Sequence, residues 1–177
     1  MKILLHAGAL GILLLLSSVT QSTNDIARSA LPAQSNLQHC GSARLKVLFW
    51  EVYKSHLFTP ANTCTEAARP LYLEIEYLRE IEGSALVEQT GKEWREQGLE
   101  SPEQARWLGQ LGTLWPDVTP GDRIGLYLDR RGEATFYFND KPLGRISEPA
   151  FGRDFVGIWL AENTTRPALR RQLLGLP

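Results

Sequence analysis

The sequence contains few of the residues that metal and redox sites require. Its 177 residues include two cysteines, three histidines and one methionine. Beyond the N-terminal segment the histidines are His39 and His56, and their spacing matches no pattern of metal ligands. The chain also lacks a phosphate-binding glycine loop and a nucleophile elbow. We therefore predict no bound metal and no cofactor.

An excess of charge of either sign is also missing. Lysine and arginine together number 19 and aspartate and glutamate 20, so the net charge is −1. The sequence has no run of basic residues and no basic patch interleaved with aromatic residues. Nucleic acid is therefore not an expected partner. No pattern in the chain predicts an oligomeric state.

Long apolar runs are confined to the N-terminus. Lys2 is followed by an apolar run that ends at Leu16 and gives way to small and polar residues. The run is interrupted by His6 and is shorter than the roughly 20 residues that a membrane span needs. This pattern predicts a signal peptide over residues 1–22, a flexible leader over 23–39 and one domain over 40–177. We expect a periplasmic or secreted protein with no stable membrane span after cleavage; an uncleaved anchor is the alternative.

The two cysteines, Cys40 and Cys64, flank a predicted β-hairpin with strands at residues 45–49 and 52–58. The ends of a hairpin lie close together, and exported proteins form disulfides readily. We therefore predict a Cys40–Cys64 disulfide. Two unpaired buried thiols are the alternative.

A clear strand and two helices follow. Residues 71–77 alternate between apolar and polar side chains, which predicts a strand with one buried face and one face mostly in water. Ser84 is the predicted N-cap of the first helix, and Gly98 closes it. Ser101 and Gln104 form a capping-box pattern at the start of the second helix, which stops before Pro116.

The last third of the chain returns to strands and then to helices. Residues 124–139 form two aromatic-rich runs around Gly132, which predicts a hairpin, and residues 143–146 can add a third strand. Ser147 is the predicted N-cap of a helix with Pro149 in its first turn. One face of this helix carries Phe151, Phe155, Ile158 and Trp159.

Three strands, two helices, three strands and two helices indicate an α+β domain. In such domains an antiparallel β-sheet carries helices packed on one face. A pocket is expected in the layer between the sheet and the helices.

Several short motifs in this order resemble bacterial chalcone isomerase-like domains. They are residues 121–123 (GDR), 136–139 (FYFN), 142–144 (PLG), 148–151 (EPAF), 157–160 (GIWL) and 166–175 (RPALRRQLLG). The resemblance extends back to about Gly41 and covers most of the chain. It implies an open-faced sandwich of the chalcone isomerase type.

The same resemblance suggests site residues. Plant chalcone isomerases use an arginine to stabilise developing negative charge, and the motif at residues 41–44 (GSAR) makes Arg44 the candidate. Fatty-acid-binding relatives pair such an arginine with a tyrosine to hold a carboxylate, and Tyr53 is the candidate partner. We expect both side chains to enter the space under the late helix, with Phe155 and Ile158 as apolar walls. The alternative is a solvated Arg44 and a Tyr53 that only packs in the core.

Other residues of the plant enzymes have no counterpart. Their helical segment carries a tyrosine and an asparagine, and residues 98–111 contain neither. A threonine on their late helix corresponds to Ile158. No catalytic residue is assigned, and chalcone cyclisation is not expected.

Three classes of function follow. The first is a non-catalytic protein that binds a small amphipathic carboxylate, such as a fatty acid, between sheet and helices. The second is an isomerase (intramolecular lyase) that uses the same arginine on an unknown substrate. The third is a protein that binds a partner protein and no ligand.

Overall fold

A computed structural model describes residues 36–177 of the chain. The predicted signal peptide and the predicted leader up to residue 35 lie outside the described residues. The first strand begins at Gln38, two residues inside the segment predicted as leader.

The described residues form six strands and four helices in the predicted order. The strands are β1 Gln38–Val47, β2 Trp50–Thr59, β3 Leu71–Tyr77, β4 Arg123–Leu128, β5 Ala134–Phe138 and β6 Lys141–Ile146. The helices are α1 Gly83–Glu96, α2 Gln104–Leu114, α3 Pro149–Leu160 and α4 Pro167–Leu174. The first pair of helices lies between β3 and β4, and the second pair follows β6.

The strands form one open antiparallel sheet in the order β1-β2-β3-β4-β5-β6. Every strand therefore pairs with its neighbours in the chain. Inward-facing side chains such as Leu57, Leu73 and Leu126 join residues of the helices in one buried apolar cluster. The predicted α+β architecture is confirmed.

Four fully buried aromatic side chains hold the helices onto the sheet. Trp94 of α1, Trp107 of α2, Phe136 of β5 and Phe151 of α3 are each at most 1% exposed. The Trp107 ring lies edge-on to Trp94 and to Phe151, with centroids 6.0 and 5.7 Å apart. Edge-to-face pairs of this kind add stability beyond the area that they bury.

The outer face of β3 is buried, and the predicted wet face is wrong. Tyr72 and Glu74 are 1% and 3% exposed. The Tyr72 ring lies between Phe58 of β2 and Tyr137 of β5, with centroids 6.1 and 6.4 Å away. A side chain at Gly125 of β4 would overlap the Tyr72 hydroxyl. Neighbouring strands therefore cover this face with their own aromatic rings.

Two predicted helix caps are also wrong. The N-cap of α1 is Glu82, not Ser84, and the Gly83 N–H donates to Asp117 Oδ1 at 2.9 Å. The N-cap of α3 is Glu148, not Ser147. At α1 the carboxylate that binds the helix start is therefore distant in sequence. At α3 the carboxylate of Glu148 makes no cap hydrogen bond and accepts instead from Trp107 Nε1–H at 2.8 Å.

Other predicted boundaries are found. Gly98 follows α1 with φ of +71°, as a closing glycine should. Pro149 occupies the first turn of α3. A third predicted cap is wrong: the N-cap of α2 is Glu103, so Ser101 and Gln104 do not form the predicted capping box. The Ser101 hydroxyl accepts the Glu103 N–H at 3.2 Å just before α2 begins at Gln104.

The predicted disulfide is confirmed. Cys40 and Cys64 are bonded, with their Cα atoms 5.6 Å apart. The bond ties the start of β1 to the loop after β2. At the next residue, a Cβ on Gly41 would overlap the backbone oxygens of Gln172 and Leu173, so the glycine lets α4 lie directly on β1. Within residues 36–177 no helix has the length and apolar character needed to cross a bilayer.

Candidate functional site

A cavity of about 440 Å³ lies between the inner face of the sheet and helices α1 and α3. Strands direct alternate side chains to the inner face, and the side chains at these positions are mostly apolar, so the walls of the cavity are mostly apolar. The sheet residues that line it are Leu45, Val47, Val52, Tyr53, Leu73, Ile75, Tyr77, Ile124, Leu126 and Phe136. The helices and loops add Ile81, Leu86, Trp115, Phe155, Ile158 and Trp159, together with a small group of polar residues.

One wall of the cavity is a cluster of aromatic rings. Phe136 and Phe155 lie edge-to-face, with centroids 5.4 Å apart, and Trp115 lies within 5.8 Å of both. The Trp115 Nε1–H is buried and has no hydrogen-bond partner within residues 36–177. An unsatisfied buried donor is costly, and an acceptor on a ligand would remove that cost.

Tyr53 places a hydroxyl in the cavity. Trp159 Nε1–H donates to the Tyr53 Oη at 2.9 Å. Burial raises the pKa of Tyr53 to about 12, against a smaller opposite effect of the Trp159 hydrogen bond. The phenol therefore stays neutral at physiological pH and keeps a proton that it can donate.

A polar cluster forms one side of the cavity around Glu93 of α1. This carboxylate is 5% exposed and accepts hydrogen bonds from Gln89 Nε2 at 2.8 Å and Thr165 Oγ1 at 2.7 Å. Arg166 Nη2 lies 3.5 Å from Glu93 Oε1, a long contact. This single contact involves one guanidinium nitrogen, so most of the N–H donors of Arg166 are not used by Glu93.

Arg44 does not reach this cavity, and its expected position is wrong. Its strand neighbour Leu45 pairs with Tyr53 and faces inward, so Arg44 points to the opposite face. Its side chain is 44% exposed, and its Nη1 lies 2.5 Å from Glu51 Oε2. The hydrogen bond from Arg44, with a second from Lys46, lowers the pKa of Glu51 to about 2. Arg44 and Tyr53 therefore do not form a pair.

The other three predicted site residues line the same cavity. Tyr53, Phe155 and Ile158 are brought together from β2 and α3. The less exposed of the two cations that line the cavity is Arg166, which was not predicted as a site residue. It lies in the short connection before α4, next to Pro167, and has no pattern that distinguishes it from a surface residue. The roles of these residues in binding a ligand stay predictions.

Titration to alkaline pH should reveal the burial of the tyrosine side chains. Burial raises the pKa values of Tyr53, Tyr72 and Tyr77 above the ordinary value of about 10. The unfolded chain therefore loses these protons first, and stability that is fully present below about pH 10 should fall as pH rises further. Ultraviolet titration of the phenolates in the folded protein, with circular dichroism alongside, should show these three ionising late or together with unfolding. Complete ionisation of all five tyrosines in folded protein near pH 10 would contradict the burial.

Comparison with known proteins agrees with the fold. The family model described as chalcone isomerase-like matches residues 19–175. An uncharacterised protein of Haemophilus influenzae is 33% identical over 126 residues, which are 71% of this chain and 62% of that protein. The crystal structure of a fatty-acid binding protein of Arabidopsis thaliana superposes with a TM-score of 0.63 at 12% identity, over 81% of this chain and 90% of that one. The structural likeness shows the fold, and the match over residues 19–175 shows that this chain belongs to the chalcone isomerase-like family.

Proposed function

We propose that the cavity binds a small amphipathic carboxylate, such as a fatty acid, and that the protein is not a catalyst. The observation that carries this proposal is the combination of an apolar cavity with a partly buried guanidinium and a neutral phenol. Of the two cations that line the cavity, Lys92 is 56% exposed and pairs with Glu96, whereas Arg166 is 35% exposed.

Arg166 and Tyr53 are suited to hold the carboxylate. Arginine presents a planar fork of donors that matches a carboxylate, and the Tyr53 hydroxyl can add a third hydrogen bond. Charge-assisted hydrogen bonds of this kind contribute roughly 1.5–3 kcal/mol each. The negative charge of Glu93 repels that of the ligand, and Arg166 would lie between the Glu93 carboxylate and the ligand carboxylate.

The remaining volume suits an acyl chain. A cavity of about 440 Å³ falls in the range in which proteins bind small molecules. Each methylene group that leaves water contributes about 0.8 kcal/mol. The likeness to a fatty-acid binding protein of Arabidopsis thaliana supports this class of ligand.

A non-catalytic role is supported by the chemistry of the lining. Ile158, at the position where the plant enzymes carry a threonine, presents only an apolar side chain to the cavity. Electrostatic catalysis depends on oriented donors at the developing charge. The polar groups of the lining are those around Arg166, Tyr53 and Glu93 and the Trp115 N–H, and the other lining side chains are apolar.

We also propose that the protein works in the periplasm or outside the cell. Residues 1–22 would be its signal peptide and residues 40–177 its binding domain. The Cys40–Cys64 disulfide supports this location, because such bonds persist in oxidising compartments.

Arg166→Gln should weaken binding of palmitate by about tenfold or more, because it removes the charge that the carboxylate needs. The neutral alcohol hexadecanol should bind both proteins alike. The measurement is displacement of a fluorescent fatty acid in lipid-free buffer.

Two further variants sharpen this test. Glu93→Gln should strengthen palmitate binding, because it replaces the negatively charged carboxylate with a neutral amide of similar shape. Arg44→Gln should change nothing, because Arg44 lies on the other face of the sheet. Equal affinity of wild type and Arg166→Gln for palmitate would rule out the proposed head-group site.

A further inference from the structure

The turn between β1 and β2 exposes a cluster of large apolar side chains. Val47, Leu48, Phe49 and Trp50, together called the hairpin tip, are 46%, 86%, 96% and 61% exposed. Among the other described residues, 36–46 and 51–177, one further large apolar side chain is exposed, that of Leu176 near the C-terminus. Contiguous exposed apolar groups of this kind mark sites of interaction.

The hairpin tip conflicts with the chemistry of its own turn. Val47 pairs with Trp50, so Leu48 and Phe49 form a two-residue loop. Leu48 has φ of 55°, a conformation that leucine adopts at a cost. In a two-residue loop with positive φ at its first residue alone, glycine is the preferred residue at that position. Folding does not explain Leu-Phe at this place, which points to a role in contact with something outside the domain.

The hairpin tip is continuous with the cavity. Val47 belongs to the tip and also lines the cavity, beside Leu45 and Val52. An apolar surface that receives the tip would therefore meet the edge of the candidate binding site.

Cations surround the hairpin tip. The Arg79 guanidinium lies over the Trp50 ring, 4.4 Å from its centroid. Arg44 and Lys46 share the carboxylate of Glu51 at the base of the hairpin. A tryptophan with basic neighbours is the composition that bilayer interfaces favour, since the ring is amphipathic and the cations meet lipid phosphates.

We propose that the hairpin tip inserts into the surface of a lipid bilayer and holds the cavity against it. Amphipathic carboxylates would then pass between bilayer and cavity without crossing water. This inference extends the proposed function, because it concerns how the same cavity is filled. The convex shape of a single turn suits lipid, whereas a protein partner would bury a broader and flatter patch.

The test uses the full chain and variants that differ only at exposed apolar residues. The double variant Leu48→Gly/Phe49→Asn removes the apolar tip and places glycine at the residue with positive φ, so its folding should be intact. Leu176→Asn is the matched control, because it removes an exposed leucine far from the tip. The residues before 36 are the same in all three proteins, so their contribution cancels.

Wild type and Leu176→Asn should cosediment with vesicles of mixed phosphatidylcholine and phosphatidylglycerol. The double variant should bind these vesicles at least about tenfold more weakly. The emission of Trp50, taken as the difference between wild type and Trp50→Phe, should shift to the blue when vesicles are added. Equal vesicle binding by all three proteins, or none by wild type, would overturn the inference.

Two further results separate the alternatives. Blue emission of Trp50 in lipid-free buffer would show that residues 1–35 or a second copy already covers the tip, which also overturns the inference. Palmitate binding in lipid-free buffer should be the same in all three proteins. If none binds palmitate while vesicle binding still depends on the tip, the proposed function fails and the tip assignment stands.

Discussion

Replacing Trp94 with alanine should lower the free energy of unfolding by about 3–5 kcal/mol, the range for large aromatic residues in cores. Trp94 is fully buried in α1 and lies edge-on to Trp107 and Phe151. Its Nε1–H donates to the backbone oxygen of Asp154 at 3.0 Å. The substitution therefore leaves a cavity at the junction of three helices and removes the hydrogen bond that joins α1 to α3.

Urea denaturation followed by far-ultraviolet circular dichroism measures this loss. Trp159→Ala is the matched comparison, because Trp159 is half-buried at the cavity and should cost less. Equal losses from the two substitutions would show that the core is not centred on Trp94.

Removing the disulfide with Cys40→Ala/Cys64→Ala should cost about 3 kcal/mol. The bond closes a loop with a sequence separation of 24 residues, and in the chain-entropy account it acts by restricting the unfolded state. It also fixes the start of β1, on which α4 packs at Gly41.

Denaturation of the double variant and of wild type, each with and without reductant, gives this value. Reductant should destabilise wild type and leave the variant unchanged. A variant as stable as oxidised wild type would mean that packing of α4 alone fixes the strand.

Much of the fold could be predicted from local pattern. The bounds of β3 at Leu71–Tyr77 match the prediction, because strict alternation over seven residues is a strong signal. Helix ends at Gly98 and before Pro116 were predictable because these residues act on the backbone directly.

What the sequence missed depends on partners distant in the chain. Asp117 satisfies the start of α1 from the far end of the helical pair, so Ser84 is not needed as a cap. The outer face of β3 is covered by Tyr137 and Phe58, which no pattern within β3 reveals.

The residues of the candidate site were predicted only in part, again because some of them depend on partners distant in the chain. Tyr53, Phe155 and Ile158 follow strand and helix periods that place them inside. Arg44 was placed by resemblance alone, and a difference of one residue in a strand moves a side chain to the other face. Arg166 reaches Glu93 across 73 residues of sequence, and local reasoning has no access to that pairing.

The open sheet has two edge strands, β1 and β6, and the outer edge of each is protected against joining a strand from another molecule. On β6, Pro142 offers no N–H, and Lys141 and Arg145 are exposed cations. On β1, α4 lies against Gly41, and irregular pairing interrupts the regular ladder with β2 at both ends. Aggregation through edge-to-edge growth of the sheet is thereby disfavoured, even though the sheet does not close into a barrel.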